Sequence, residues 1–259
     1  MPRKRALCAV VAAAILGIAL EGYNTTLELL LSCGMRRQER HSNMTAQTVT
    51  AVTDGCWVHF GCGLCAPHEW VNFDSSPTLR MQRLPGIGRL APAGPYGRFP
   101  TNVLYGDIIK GLPLPQRSAS LLYCSHVLEH LCLSDLRRAL LDCRRVLRPG
   151  GVFRLVVPDL EHLIRCYIAD SSPQAATKFM DDTMLGRKFR SRGLLGLMRE
   201  WLGSSQHLWM WDYKSLAAEL EAAGFSTIRR AALGDSRIAA FALVESEGRW
   251  TNALGIECR

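Results

Sequence analysis

Two glycines bracket a small residue where an apolar run ends, in Trp57-Val58-His59-Phe60-Gly61-Cys62-Gly63. Ten residues further on a second run, Trp70-Val71-Asn72-Phe73, ends in an acid, Asp74. Glycines after a first strand let the backbone approach a ligand closely, and an acid after the second can accept hydrogen bonds from a ribose diol. A third segment, Ser125-His126-Val127-Leu128-Glu129-His130, follows another apolar run and concentrates imidazole and carboxylate groups. Its H-x-x-E-H spacing matches one group of metallopeptidases. Because the motif directly follows a buried strand, peptidase activity ranks far behind a nucleoside-type ligand site.

These residues need a sheet whose strands all end at one edge. In a parallel α/β sheet, ligands bind outside the carboxyl ends of the strands, where the strand order reverses. Strand-like runs fall at 57–60, 70–73, 102–105, 121–124, 152–157, 225–230 and 239–245. The last two are close enough to form an antiparallel pair. Only nine residues, 61–69, separate the first two strands, so any helix there is barely a turn. A pyrophosphate wants the N-terminus of a full helix, and a dinucleotide site is disfavoured for that reason. Residues 77–100 carry five prolines and four glycines, which predicts a long irregular loop leaving the ligand edge.

A helix is predicted from Ser134 or Asp135 to Leu147, with Leu136, Leu140, Cys143 and Leu147 on its apolar face. Pro149-Gly150-Gly151 turns the chain into the 152–157 strand, which ends at Pro158-Asp159 on the ligand edge. Residues 160–206 read as helices broken by glycines. The segment His207-Leu208-Trp209-Met210-Trp211 is unusually aromatic, with the tryptophans read as packing residues. A helix from Tyr213 ends at Gly224.

Hydrophobic residues make up 48% of the 259, enough for a real core. The ten cysteines build no paired framework, and Cys62-x-x-Cys65 has no second pair to complete a zinc site. Unpaired thiols in this number point to a reducing compartment. The N-terminus points elsewhere: Arg3, Lys4 and Arg5 precede fifteen uncharged apolar residues, 6–20. That stretch has signal-peptide form and is shorter than the roughly twenty residues of a spanning helix. A cytosolic anchor and an upstream extension are the competing readings, and both rank ahead of secretion. The expected organisation is an apolar segment and linker over 1–54 and one working domain over 55–259. The net charge of +8 is modest; its one dense patch, Arg187, Lys188, Arg190 and Arg192, reads first as a solvated face.

Taken together, Phe60-Gly61-Cys62-Gly63, the Asp74 strand end, Ser125-His126-Val127-Leu128-Glu129-His130, Leu147-Arg148-Pro149-Gly150-Gly151 and Val157-Pro158-Asp159 resemble the class I S-adenosylmethionine-dependent methyltransferases, nearest the type 11 domains. The resemblance runs over about residues 56–245. It implies a Rossmann-like seven-stranded α/β sheet, mostly parallel with an antiparallel C-terminal hairpin and helices on both faces, and S-adenosylmethionine as cofactor. It implies that Gly61, Cys62 and Gly63 line the methionine part, Asp74 holds the ribose, Asp107 reaches the adenine amino group, and Ser125 and His126 border the sulfonium. His59 departs from the pattern, because many members carry an acid there.

The sulfonium already carries an activated methyl, so the protein's work is alignment and exclusion of water. A base is needed only for an acceptor that loses a proton, and His130 is the candidate. The expected acceptor is a small molecule or a glycan-type hydroxyl; protein or RNA ranks second, on the basic patch alone. His126, Glu129 and His130, with His207 as a fourth group, form a conceivable ligand set, as some relatives of the fold use E-x-x-E-H there; the expectation is that they hold no metal. The expected location is cytoplasmic, with residues 6–20 available for membrane association.

Overall fold

The computed structural model describes residues 55–86, 88–90, 97–188 and 206–259. The N-terminal segment and linker, and Arg190 and Arg192 of the basic patch, lie outside the described residues.

Seven strands form one sheet: β1 (Cys56–Phe60), β2 (Val71–Asp74), β3 (Val103–Tyr105), β4 (Ala119–Ser125), β5 (Leu147–Pro158), β6 (Arg229–Ala231) and β7 (Ala253–Cys258). Their spatial order is β3-β2-β1-β4-β5-β7-β6. Pairings from β3 across to β5 are parallel, while β7 runs antiparallel to both neighbours. The order reverses between β1 and β4, which places a crevice at their carboxyl ends. The expected seven strands and antiparallel finish are therefore present.

The sheet buries both faces, as parallel strands require. On one face Leu122, Cys124, Phe153 and Leu155 are fully buried. Helix Leu133–Val146 covers that side, turning Leu136, Ala139, Leu140 and Cys143 inward, with Arg137, Arg138 and Arg144 exposed and Arg145 donating to the Leu112 and Leu114 carbonyls. The N-cap is Cys132, just ahead of the predicted Ser134 or Asp135, and Asp135 sits in the first turn, where a carboxylate complements the helix dipole. Helix Tyr213–Ala222 is fastened at both ends. Asp212 and Ser215 form a reciprocal capping box, and past the last turn the Phe225 N–H reaches the Leu220 carbonyl around Gly224 at φ +90°.

The opposite face is covered in an unusual way. The connection from β1 to β2 contains no helix, as its length predicted, and so contributes no cover. The 3-10 turn Ala239–Leu243 and helix Glu247–Trp250 lie there instead, packing Phe241, Val244 and Trp250 onto Trp70, Leu121, Tyr123, Val152 and Val156. This corrects the predicted strand at 239–245: the apolar run is a short helical lid, and the last strand is 253–258. Arg154, on the same face, is fully buried and pairs with Asp235, Glu245 and Glu257 beneath Trp250.

A second correction concerns the proline-rich stretch. Helix Pro77–Gln82 forms there, because Pro77 occupies the first turn, where its missing N–H costs nothing, and Ser76 caps it. Among the described residues eight cysteines are free thiols, in line with the absence of a framework. No described helix is long and apolar enough to cross a membrane.

Candidate functional site

The glycine turn sits at the carboxyl end of β1. Gly61 and Gly63 both have positive φ, +64° and +54°, a region that L side chains rarely adopt. A Cβ on Gly61 would lie 2.2 Å from the Val127 Cγ2 atom, so this turn and the segment after β4 touch across the crevice. A Cβ on Gly63 would meet nothing within 4 Å: the space above it is open for a ligand. Cys62 between them is buried. Burial, and then the Asp74 carboxylate, push its thiol well above the usual range, so it is a neutral small residue rather than a nucleophile.

Asp74 does more than the sequence suggested. One carboxylate oxygen accepts from the Gly63 N–H at 2.9 Å and the other from the Ser76 N–H at 2.8 Å. The acid thus ties the β2 end to the glycine turn. Each oxygen keeps a further lone pair for a ribose hydroxyl. Asp107, past β3, is half-buried and accepts from the Ile109 N–H at 3.0 Å with one oxygen, while the other stands 3.9 Å from the exposed Lys110 ammonium. Ser125 is buried at the end of β4, its hydroxyl without a hydrogen-bond partner among the described residues.

His126 has φ +55°. Left-handed backbone in a non-glycine residue is strained, and such strain clusters at functional sites. Its Nε2 hydrogen-bonds the Arg249 carbonyl at 2.8 Å, and its Nδ1 stands 3.2 Å from the Glu129 carboxylate. Burial works against a charged ring there, but the carboxylate and the Arg249 carbonyl outweigh it and raise its pKa. Glu129 is fully buried, and neither carboxylate oxygen has a hydrogen-bond partner among the described residues. His130 is half-buried, with Nδ1 3.1 Å from the Gln206 carbonyl and its ring centroid 4.9 Å from that of His207. The N–H groups of Leu208 and Trp209 hold the Glu129 carbonyl, which docks the 206–211 segment onto the end of β4.

Every predicted site residue therefore lies at the carboxyl edge of β1, β2, β3 or β4. Sequence reading missed Arg249. It comes from the last short helix, donates to the Ser125 carbonyl at 3.1 Å, and has no carboxylate within 4.0 Å among the described residues. Its charge adds to burial in holding His59 down at about 3, and it also acts on Cys62, Cys65 and His126. A lone guanidinium therefore stands over the glycine turn. No local signal pointed to it, since it reaches the site by tertiary folding alone. Of the aromatic segment, Trp211 is buried as expected, whereas Trp209 is 42% exposed. In the basic patch, Arg187 donates to Gln206 and Lys188 pairs with Asp181, the solvated reading in both cases.

Residues 58–155, spanning β1 to β5, match the methyltransferase domain family. That match and the strand order support a class I S-adenosylmethionine-dependent methyltransferase, the family that the sequence resembles. The comparison with curated proteins found no match. Among solved structures, a SAM-dependent methyltransferase from Archaeoglobus fulgidus is 16% identical, covering 85% of this chain and 93% of its own, with a TM-score of 0.41. An S-adenosylmethionine-dependent methyltransferase from Mesorhizobium loti is 21% identical over 80% of this chain and 92% of its own, with a TM-score of 0.40.

The residues present fit the cofactor. The open space over Gly63, the spare lone pairs of Asp74 and the unpartnered Ser125 hydroxyl supply shape and polarity at the crevice. When bound, S-adenosylmethionine supplies an activated methyl group on a sulfonium.

Proposed function

We propose that this protein transfers a methyl group to a hydroxyl of a small-molecule or glycan-type acceptor. Asp74 holds the cofactor's ribose, Asp107 faces the adenine amino group, and Gly61, Cys62 and Gly63 make room for the methionine part. Ser125 and His126 border the sulfonium. Arg249, a cation without a carboxylate partner among the described residues, takes the methionine carboxylate; this suits a site in which His59 stands where an acid is usual.

One observation carries the hydroxyl reading. A half-buried imidazole, His130, stands beside the crevice with one ring nitrogen fixed by the Gln206 carbonyl. A hydroxyl acceptor must lose a proton, and an imidazole held in this way has its other ring nitrogen placed to accept it. Trp209, exposed at the rim two residues from His207, offers a flat apolar face of the kind a sugar ring stacks on. Lys188 and Arg187 already have partners, which weakens the case for nucleic acid. The reducing chemistry of the free thiols and the cofactor both favour the cytosol, with residues 6–20 available for membrane association.

Transfer of labelled methyl from the cofactor into fractionated small molecules, glycans, protein and RNA tests the acceptor. Label recovered in a small-molecule or glycan fraction, and lost with His130→Ala, is the expected result. Label confined to protein or RNA would refute this acceptor class.

A further inference from the structure

The mechanism above leaves one group unexplained: a fully buried glutamate whose only close polar neighbour among the described residues is the His126 ring, 3.2 Å away. Glu129 lies among three histidines, and each ring is oriented by a main-chain carbonyl. His207 Nδ1 is 2.9 Å from the Thr183 carbonyl, His130 Nδ1 is 3.1 Å from that of Gln206, and His126 Nε2 is 2.8 Å from that of Arg249. A carbonyl oxygen only accepts, so the bonded nitrogen of each ring carries the proton. In the neutral imidazole the other nitrogen is then a lone pair. For His126 that nitrogen stands 3.2 Å from a Glu129 oxygen, and for His207 it stands 3.9 Å away. One ligand atom each from Glu129, His130 and His207 lie within 4.8 Å of one another. A proton on the His126 Nδ1 satisfies one carboxylate oxygen, but the lone pairs of His130 and His207 still face the carboxylate with no donor between them among the described residues, an arrangement that a cation resolves.

We propose that Glu129, His130 and His207 form a binding site for a divalent first-row transition ion, with His126 beside the carboxylate as a fourth group. Two imidazoles and one carboxylate suit Zn²⁺ or Fe²⁺ far better than Mg²⁺ or Ca²⁺, which prefer all-oxygen shells. Ligand bonds of about 2.0–2.2 Å require the three atoms to close in by about an ångström, within reach of side-chain torsions. The carbonyls that fix the far ring nitrogens are the outer shell that ligating histidines commonly have. Three protein ligands leave a position open. The half-buried His130 puts that position on the crevice side, where an acceptor oxygen can meet the ion. With the ion bound, His130 is a ligand, and its effect on the acceptor passes through the metal.

This departs from the expectation of a metal-free site. His207, a conceivable fourth group in the sequence, lies 77 positions beyond His130 in the chain and arrives with the segment docked on the Glu129 carbonyl.

The test uses the untagged full chain, purified without chelator. Elemental analysis should find about one equivalent of zinc, iron or manganese. Glu129→Ala and His207→Ala should each lower that content at least tenfold. Metal-stripped wild type should take up one equivalent of Co²⁺ with visible bands of nitrogen and oxygen ligation. That spectrum stands even if a variant fails to fold. Absence of both resident metal and Co²⁺ uptake would overturn the proposal. So would metal retained in both variants, or a thiolate charge-transfer band, which would place the ion on cysteines. Calorimetric titration of the stripped protein with S-adenosylmethionine keeps the two readings apart: lost metal with intact cofactor binding counts against the ion alone.

Discussion

Asp74 links the fold to the chemistry, and its replacement by alanine has a calculable effect. Its carboxylate accepts from the Gly63 and Ser76 N–H groups at 2.9 and 2.8 Å. The remaining lone pairs face the position assigned to two ribose hydroxyls. Hydrogen bonds to a charged group contribute about 1.5–3 kcal/mol, and about 1.4 kcal/mol is a factor of ten. Loss of the ribose contacts alone therefore weakens binding roughly tenfold to a hundredfold. Release of the glycine turn adds to the loss, because the Gly63 N–H no longer has its anchor. Asp74→Asn should fall in the same range, since its amide NH₂ opposes one of the two backbone donors it must satisfy. Isothermal titration with S-adenosylmethionine and with 5′-methylthioadenosine measures it. Both ligands contain the ribose, so both should weaken together in a variant whose far-UV spectrum is unchanged. Unaltered affinity in a folded Asp74→Ala protein would show that the end of β2 does not hold the cofactor.

Other consequences are as direct. Arg249→Ala should weaken S-adenosylmethionine about tenfold, the loss of one charge-assisted contact. It should leave 5′-methylthioadenosine unaffected, because that ligand lacks the carboxylate; equal losses for the two would contradict the assignment. Burial, and secondarily Arg249, hold His59 at about 3 against an ordinary 6.5. Below pH 6.5 the unfolded chain takes up a proton that the folded one refuses until about pH 3. Stability is thus full above 6.5 and falls on acidification by up to about 1.4 kcal/mol per pH unit, about 2 kcal/mol by pH 5. Urea melts at pH 7 and pH 5 should show this fall in wild type and its loss in His59→Phe; equal falls would exclude His59 as the source. Arg154→Met leaves Glu245, 3% exposed, without its partner, and should cost about 3–5 kcal/mol in the same melts. A change below about 0.5 kcal/mol would mean that Glu245 finds another partner or water.

Local chemistry made the first half of the fold readable. At β1 and β2 an apolar run stops at residues with one physical purpose, glycines that turn sharply or an acid that caps an edge. The C-terminal part misleads for equally physical reasons. Residues 239–244 are apolar enough to pass for a strand, yet they are the cover for Trp70 and Tyr123. That cover is needed because the β1–β2 connection has no helix, and a local window does not see the vacancy. The true β7 carries Gly255 in its centre, which weakens any strand reading. The glycine is required, since a Cβ there would meet the Trp250 ring at 2.2 Å. In the site, Asp74 and the two glycines were readable because both ends of their interaction lie within a short span. Arg249 was not, because it meets the Ser125 carbonyl across 124 residues of chain.

The central claim is that this sheet edge binds S-adenosylmethionine for methyl transfer. Equilibrium titration of the full chain with S-adenosylmethionine, with S-adenosylhomocysteine as competitor, tests it most directly. One saturable site per chain, displaced by the product and abolished by Gly63→Val, which both fills the open space over the turn and strains its backbone, is the predicted result. No saturable binding up to about millimolar ligand, or binding indifferent to Gly63 and Asp74, would contradict the account.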